Sequence, residues 1–217
     1  MKSLPTPPCV IHLIRHGVVD PTARGIHYGT MDVALCDATV TAQHEHYAAL
    51  ARRLPHPADW FVTPLRRTAE TARALFAAGY PPMKLHLEPE FIEQDIGDWH
   101  GLAHDALPPL LTRPAHPFWP MAPEEVPPRG ESMAHVLRRV GAALDRIAAD
   151  HAGRDVVIIS HGGAIRAAIA HALNLSATDA LRLEIDNLSL TQLERHGPGW
   201  RVRRMNESAT FAREATP

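Results

Sequence analysis

Two short apolar runs do most to limit what this chain can fold into. Residues 9–14 read CVIHLI and residues 155–159 read DVVII. Neither alternates strictly between apolar and polar side chains. Each therefore suits a strand covered on both faces, as in a parallel sheet held between helix layers. Both runs end on a polar cluster closed by glycine: Arg15-His16-Gly17 after the first, and Ser160-His161-Gly162-Gly163 after the second.

The segments between them alternate in kind. Residues 40–54 predict a helix stopped by Pro55, and residues 58–62 (ADWFV) a short strand. Thr63 and Pro64 suit the cap and first position of a helix over 64–78, with Gly79 past its end. Residues 84–87 (KLHL) predict a weak strand. In 131–150, Met133, Val136, Leu137, Val140, Leu144 and Ile147 form a helical stripe. Gly162 and Gly163 open an Ala-rich helix reaching about residue 173. Residues 188–195 and 200–205 flank Gly197-Pro198-Gly199 and predict a terminal hairpin, followed by a peripheral tail from 206. Residues 108–129 hold eight prolines, which exclude a long helix or a central strand. The expected fold class is α/β. It is a three-layer sandwich with a mostly parallel central sheet of roughly six strands, an antiparallel edge from the C-terminal hairpin, and helices on both faces. Residues 1–217 are expected to form a single domain with a Pro-rich excursion at 102–130.

Composition narrows the function. The net charge of -2 gives no basic excess, so nucleic acid is not an expected partner. No run approaches a membrane-spanning length, and the N-terminal apolar run is too short for a signal peptide, so a cytoplasmic location is expected. Fifteen histidines invite thought of a metal, but no metal-ligand spacing occurs. Neither a metal nor a cofactor is expected, and most histidines are read as surface or packing residues. His100 and His104 are among them. Cys9 and Cys36 form no motif.

Ligands of an open parallel sheet bind at the carboxyl ends of its strands. Here those ends carry Arg15 and His16, then Arg66 and Arg67, then Glu93, then His161. Guanidinium groups match phosphate oxygens, helix N-termini at Pro64 and Gly162 add N–H groups, an imidazole can take up a phosphoryl group, and a carboxyl can protonate a leaving oxygen. A nucleophilic His16 should donate from its other nitrogen to a backbone carbonyl, with neighbouring guanidiniums lowering its pKa. Gly17 would leave room for close approach of a ligand.

Arg15-His16-Gly17 at a strand end resembles the signature of the histidine phosphatase superfamily, which includes the phosphoglycerate mutases. Thr63-Pro64-Leu65-Arg66-Arg67-Thr68-Ala69-Glu70-Thr71-Ala72 is similar to that family's S/T-x-L-x-R-[AT]-x-x-T-A stretch. Residues Glu93 to Gly101 are similar to E-x-x-x-G-x-W-E-G, and Ser160-His161-Gly162-Gly163 to its S-H-G-G. Tyr28 to Leu35 and Gly130-Glu131-Ser132 are softer matches. The resemblance implies a phosphohistidine formed on His16, with Arg15, Arg67 and His161 holding the phosphoryl oxygens. It makes Glu93 the proton donor, and it implies substrate binding at Arg15, Gly17, Thr22, Tyr28, Arg67, Glu93 and Gly162. Thr22 stands where mutases carry an Asn, because Val18-Val19-Asp20-Pro21-Thr22 replaces their Glu-Ser-x-Trp-Asn. His100 replaces the Glu of W-E-G. These departures are closer to the branch of α-ribazole and broad-specificity phosphatases.

The expected activity is metal-independent hydrolysis of a small phosphorylated metabolite. The alternatives are a cofactor-dependent phosphoglycerate mutase and a weakly catalytic module that binds a phosphorylated ligand. The hairpin edge could support a homodimer. Trp99, Phe118 and Trp119 could line a pocket or anchor the Pro-rich segment. Glu131 and Ser132 could bind substrate or start a helix, and Arg166 could point at the site or pair with a structural carboxylate.

Overall fold

The computed structural model describes residues 7–209. Strands β1 (Cys9–Arg15), β2 (Asp59–Val62), β3 (Leu85–Leu87), β4 (Asp155–Ser160), β5 (Leu190–His196) and β6 (Gly199–Glu207) form one sheet in the order β3-β2-β4-β1-β5-β6. The pairs β3-β2, β2-β4 and β4-β1 are parallel, and β1-β5 and β5-β6 antiparallel. This is the mixed sheet expected, with the hairpin as its antiparallel edge.

The helices are α1 (Asp37–Ala42), α2 (His44–Arg53), α3 (Arg66–Ala77), α4 (Met133–Asp150), α5 (Gly162–Leu173) and α6 (Ala177–Ala180). Side chains alternate across the central strands. Ile11, Leu13, Val156 and Ile158 pack with Val136, Leu144, Ile165 and Ile169 of α4 and α5. Ile14, Val157 and Ile159 turn to the other face and meet Tyr47, Leu50 and Leu75 of α2 and α3. Each central strand is thus covered on both sides, which is why both read as unbroken apolar runs.

Several boundaries differ from expectation. The helix over 40–54 is two helices, broken at Gln43 (φ -96°, ψ 17°) and starting earlier, at Asp37. The break follows Thr39-Val40-Thr41, β-branched residues with low helix propensity, and the Thr41 hydroxyl bonds the Asp37 carbonyl. Thr63 does not cap the next helix, because its hydroxyl is engaged by Thr68 and His161. Helix α3 starts instead at Arg66, after an extended Leu65. Ser132 caps α4, accepting from the His135 N–H at 3.3 Å, while the His135 ring accepts from the Ser132 N–H. β6 carries through Glu207, two residues into the segment read as tail, because Asn206 bonds the Asp186 backbone and side chain. The rest of that tail, from 210, lies outside the described residues.

The Pro-rich excursion holds only short 3₁₀ turns at His104–Ala106 and Pro108–Leu110. It closes over a small core of Ile96, Trp99, Leu107 and Met121. Among the described residues, no helix is long and apolar enough to cross a membrane.

Candidate active site

The carboxyl ends of β1, β2 and β4 bring His16, Thr63 and His161 together. β1 and β4 pair in register through Arg15 and Ser160, so the two histidines that follow lie side by side, ring centroids 5.2 Å apart. His16 Nδ1 is 2.7 Å from the Gly17 carbonyl oxygen. A carbonyl only accepts, so Nδ1 carries the proton and Nε2 keeps its lone pair. The Asn187 amide donates to the His16 carbonyl at 2.7 Å and holds that backbone in place.

Arg67 is fully buried at the start of α3. Its Nε donates to His161 Nδ1 at 3.2 Å, its Nη1 to the Met31 carbonyl at 2.7 Å and its Nη2 to the Gly29 carbonyl at 2.8 Å. His161 Nδ1 must therefore be an acceptor, so its Nε2 carries the proton and donates to Thr63 Oγ1 at 2.9 Å. Thr63 thus orients His161, a role missed when it was read as a helix cap. Tyr28 lies with its ring 5.2 Å from the Arg67 guanidinium carbon.

Arg15 donates from Nη1 to the Ile185 carbonyl at 2.6 Å, while its buried Nε has no partner. Glu93 accepts from the Gly163 N–H at 3.1 Å and from the Gln94 N–H at 2.9 Å. Its loop is fastened by Arg139, which donates to the carbonyls of Glu90, Ile92 and Glu93 and forms an ion pair with Glu131 at 2.7 Å. Arg139 went unnoticed in the sequence because it is one arginine among many on a regular helix. Glu131 and Ser132 serve this loop and the helix cap, not the cavity.

A cavity of about 230 Å³ opens beside these groups. Arg15, Glu93 and Gly162 line its inner end; Tyr28, His27, Trp119 and Arg166 line its walls. His16, Arg67 and His161 do not line it and are at most 2% exposed; Tyr28 and the Gly29 carbonyl lie against Arg67.

Two expected placements are corrected. Thr22 is exposed, and its hydroxyl bonds Asp20 at 2.6 Å, away from the cavity. The side chain is too short to leave that turn, and Asn187 is the amide that reaches the His16 backbone. Gly17 is required by Tyr47, whose hydroxyl fills the space a side chain would take, and its N–H already donates to Thr71. It makes no room for a ligand. His100 and His104 are packing and surface residues, as expected. His100 Nε2 accepts from the Thr30 N–H at 3.1 Å, and His104 packs against His27 in the cavity wall. Of the three loop aromatics, only Trp119 lines the cavity. Trp99 belongs to the small core and Phe118 is exposed.

Burial pushes the pKa of His16 well below 6.5, and the charges of Arg67 and Arg15 push it further; burial and Arg67 do the same to His161. Both rings are neutral in the folded protein at pH 7. In the unfolded chain they protonate near 6.5, so below that pH the unfolded chain binds protons that the folded one refuses. Stability is therefore full above about pH 6.5 and falls as pH drops, by up to ~1.4 kcal/mol per pH unit for each histidine. Urea midpoints at about pH 7.5 and 5.5 check this: the lower pH gives the lower midpoint, and His161→Gln narrows the gap.

The model of the histidine phosphatase superfamily (branch 1) matches residues 11–208. The chain belongs to this superfamily. A bifunctional protein of Mycobacterium tuberculosis is 32% identical over 141 residues, 63% of this chain. The chain spans only 37% of the length of that relative. A 2,3-bisphosphoglycerate-dependent phosphoglycerate mutase of Cytophaga hutchinsonii is 26% identical, over 81% of this chain and 83% of the mutase. The solved structure of a mycobacterial glucosyl-3-phosphoglycerate phosphatase with VO3 superposes with a TM-score of 0.73 at 26% identity, over 92% of this chain and 99% of that one. The three-layer fold is shared with that solved structure.

Proposed function

We propose that this chain is a metal-independent phosphomonoester hydrolase acting on a small phosphorylated metabolite through a phosphohistidine on His16. The observation that carries this reading is the His16 tautomer, fixed by the Gly17 carbonyl, in a ring kept neutral by burial first and by the charges of Arg67 and Arg15 next. The Nε2 lone pair attacks phosphorus and the ester P–O bond breaks. Glu93 gives its proton to the departing alkoxide. Arg15, Arg67 and His161 hold the phosphoryl oxygens, and the fixed positive charge of the two guanidiniums offsets the charge that spreads over those oxygens. Water then attacks phosphorus, Glu93 takes its proton, and the P–N bond breaks to release phosphate. Arg67 reaches the phosphoryl group once the Gly29 and Met31 carbonyls release its two terminal nitrogens. The likeness to a phosphoglycerate mutase supports a second reading, in which phosphohistidine passes its group to another hydroxyl instead of to water.

The test is phosphate release from p-nitrophenyl phosphate in EDTA, with 3-phosphoglycerate plus 2,3-bisphosphoglycerate as the parallel assay. Release in EDTA supports the hydrolase. Interconversion without release supports the mutase. Glu93→Gln separates the proton donor from the rest of the site. It slows alkyl phosphates by about 10²–10⁴-fold, the range for loss of general acid catalysis. It slows p-nitrophenyl phosphate much less, because nitrophenolate leaves without a proton. Equal losses on both would remove Glu93 from this role.

A further inference from the structure

Arg166 sits one turn into α5 and is left over once the phosphoryl group has been provided for. Its Nε donates to the Leu183 carbonyl at 2.7 Å, which fixes the guanidinium, and its guanidinium carbon lies 4.9 Å from the centre of the Trp119 ring. Among the described residues that carbonyl is its one hydrogen-bond acceptor. Its Nη1 stands 2.9 Å, and Arg15 Nε 3.5 Å, from the point that a side chain on Gly162 would occupy. The glycine therefore keeps open a space flanked by two guanidiniums at the inner end of the cavity. Glu93, on the next residue's N–H, is the carboxylate closest in effect: burial lowers the pKa of Arg166 and Glu93 opposes that most. The walls beyond are largely apolar, with Ile26, Ile96 and Met121.

Charge counting gives this arrangement a meaning. Arg15 and Arg67 already match the two charges of a phosphomonoester. Arg166 is a further cation, held on the Glu93 side, where the alcohol emerges. We infer that Arg166 is a specificity residue for the leaving group, and that the preferred substrate is a phosphomonoester whose alcohol carries a second anionic group a few bonds from the ester oxygen. This rests on Glu93 marking the leaving-group side in the proposed function. The guanidinium is pre-positioned by Leu183 and Trp119, so binding that anion costs little ordering.

A matched pair of probes tests it: 3-phosphoglycerate and glycerol 3-phosphate differ only by a carboxylate in place of a hydroxymethyl group. The wild type is expected to favour the carboxylate probe in kcat/KM by about tenfold or more, the scale of a charge-assisted hydrogen bond. Arg166→Gln brings the ratio to within about twofold by losing only on that probe, and Arg166→Lys keeps part of it. Equal losses on both probes, or no preference in the wild type, would overturn the inference. Calorimetric binding of the same probes to His16→Ala, with and without Arg166→Gln, reads the preference without turnover. A preference there alongside absent catalysis would sink the hydrolase reading and leave the inference standing. Tight binding of both probes alike would do the reverse.

Discussion

His16→Ala is expected to lower phosphate release at least ~10³-fold, the loss typical when the group that forms the covalent intermediate is removed. The fold should survive, because the His16 backbone stays tied through its carbonyl to Asn187 and through its N–H to Ser160. The variant must therefore show near-wild-type circular dichroism while losing activity. Wild-type protein quenched with labelled substrate should carry a label stable to alkali and lost in acid, the behaviour of a phosphorylated imidazole, and the variant should carry none. Undiminished release by the variant would end the covalent mechanism.

Arg67→Ala is expected to damage both fold and function. The side chain is fully buried and satisfies the carbonyls of Gly29 and Met31 together with His161. Its removal leaves those acceptors without this donor and opens a cavity where the buried side chain stood. Breaking one side of such a buried charged network costs about 3–5 kcal/mol. Arg67→Lys separates the two roles. It keeps a charge near phosphate but cannot span three acceptors, so it should retain more stability than Ala while losing most activity. Thermal unfolding with and without inorganic phosphate reads both effects. Phosphate raises the midpoint of the wild type and does so less for the lysine variant. An alanine variant as stable as the wild type would show that Arg67 does not hold the loop.

The groups that could be read in the sequence were those fixed by local pattern. β1 and β4 announced themselves as apolar runs because both faces are covered, and each ends in the residues that face the site. Arg15, His16, Arg67, Glu93 and His161 do converge, as their places at strand ends required. The expectations that failed depended on which partner wins a side chain. Thr63 has the chemistry of a cap, yet His161, 98 residues away, takes its hydroxyl. Thr22 stands in the right position along the chain but turns to Asp20. Arg139, Arg166 and Asn187 act through contacts 46, 17 and 171 residues distant. No local spacing encodes such contacts, and in an arginine-rich chain a single arginine carries no signal of its own.

The strand order has a consequence for synthesis. β1, which delivers Arg15 and His16, is flanked in the finished sheet by β4 and β5, both of them encoded in the last third of the chain. As the polypeptide leaves the ribosome, β1 emerges before the other five strands and has neither edge paired until β4 follows. Only β2 and β3 can join early, and they end up beyond β4. The apolar run at 9–14 is thus exposed longest, with open hydrogen-bonding edges that favour association between nascent chains. The chemistry of the site is correspondingly late: nothing resembling it can exist until β4 slides between β2 and β1 and sets His161 beside His16.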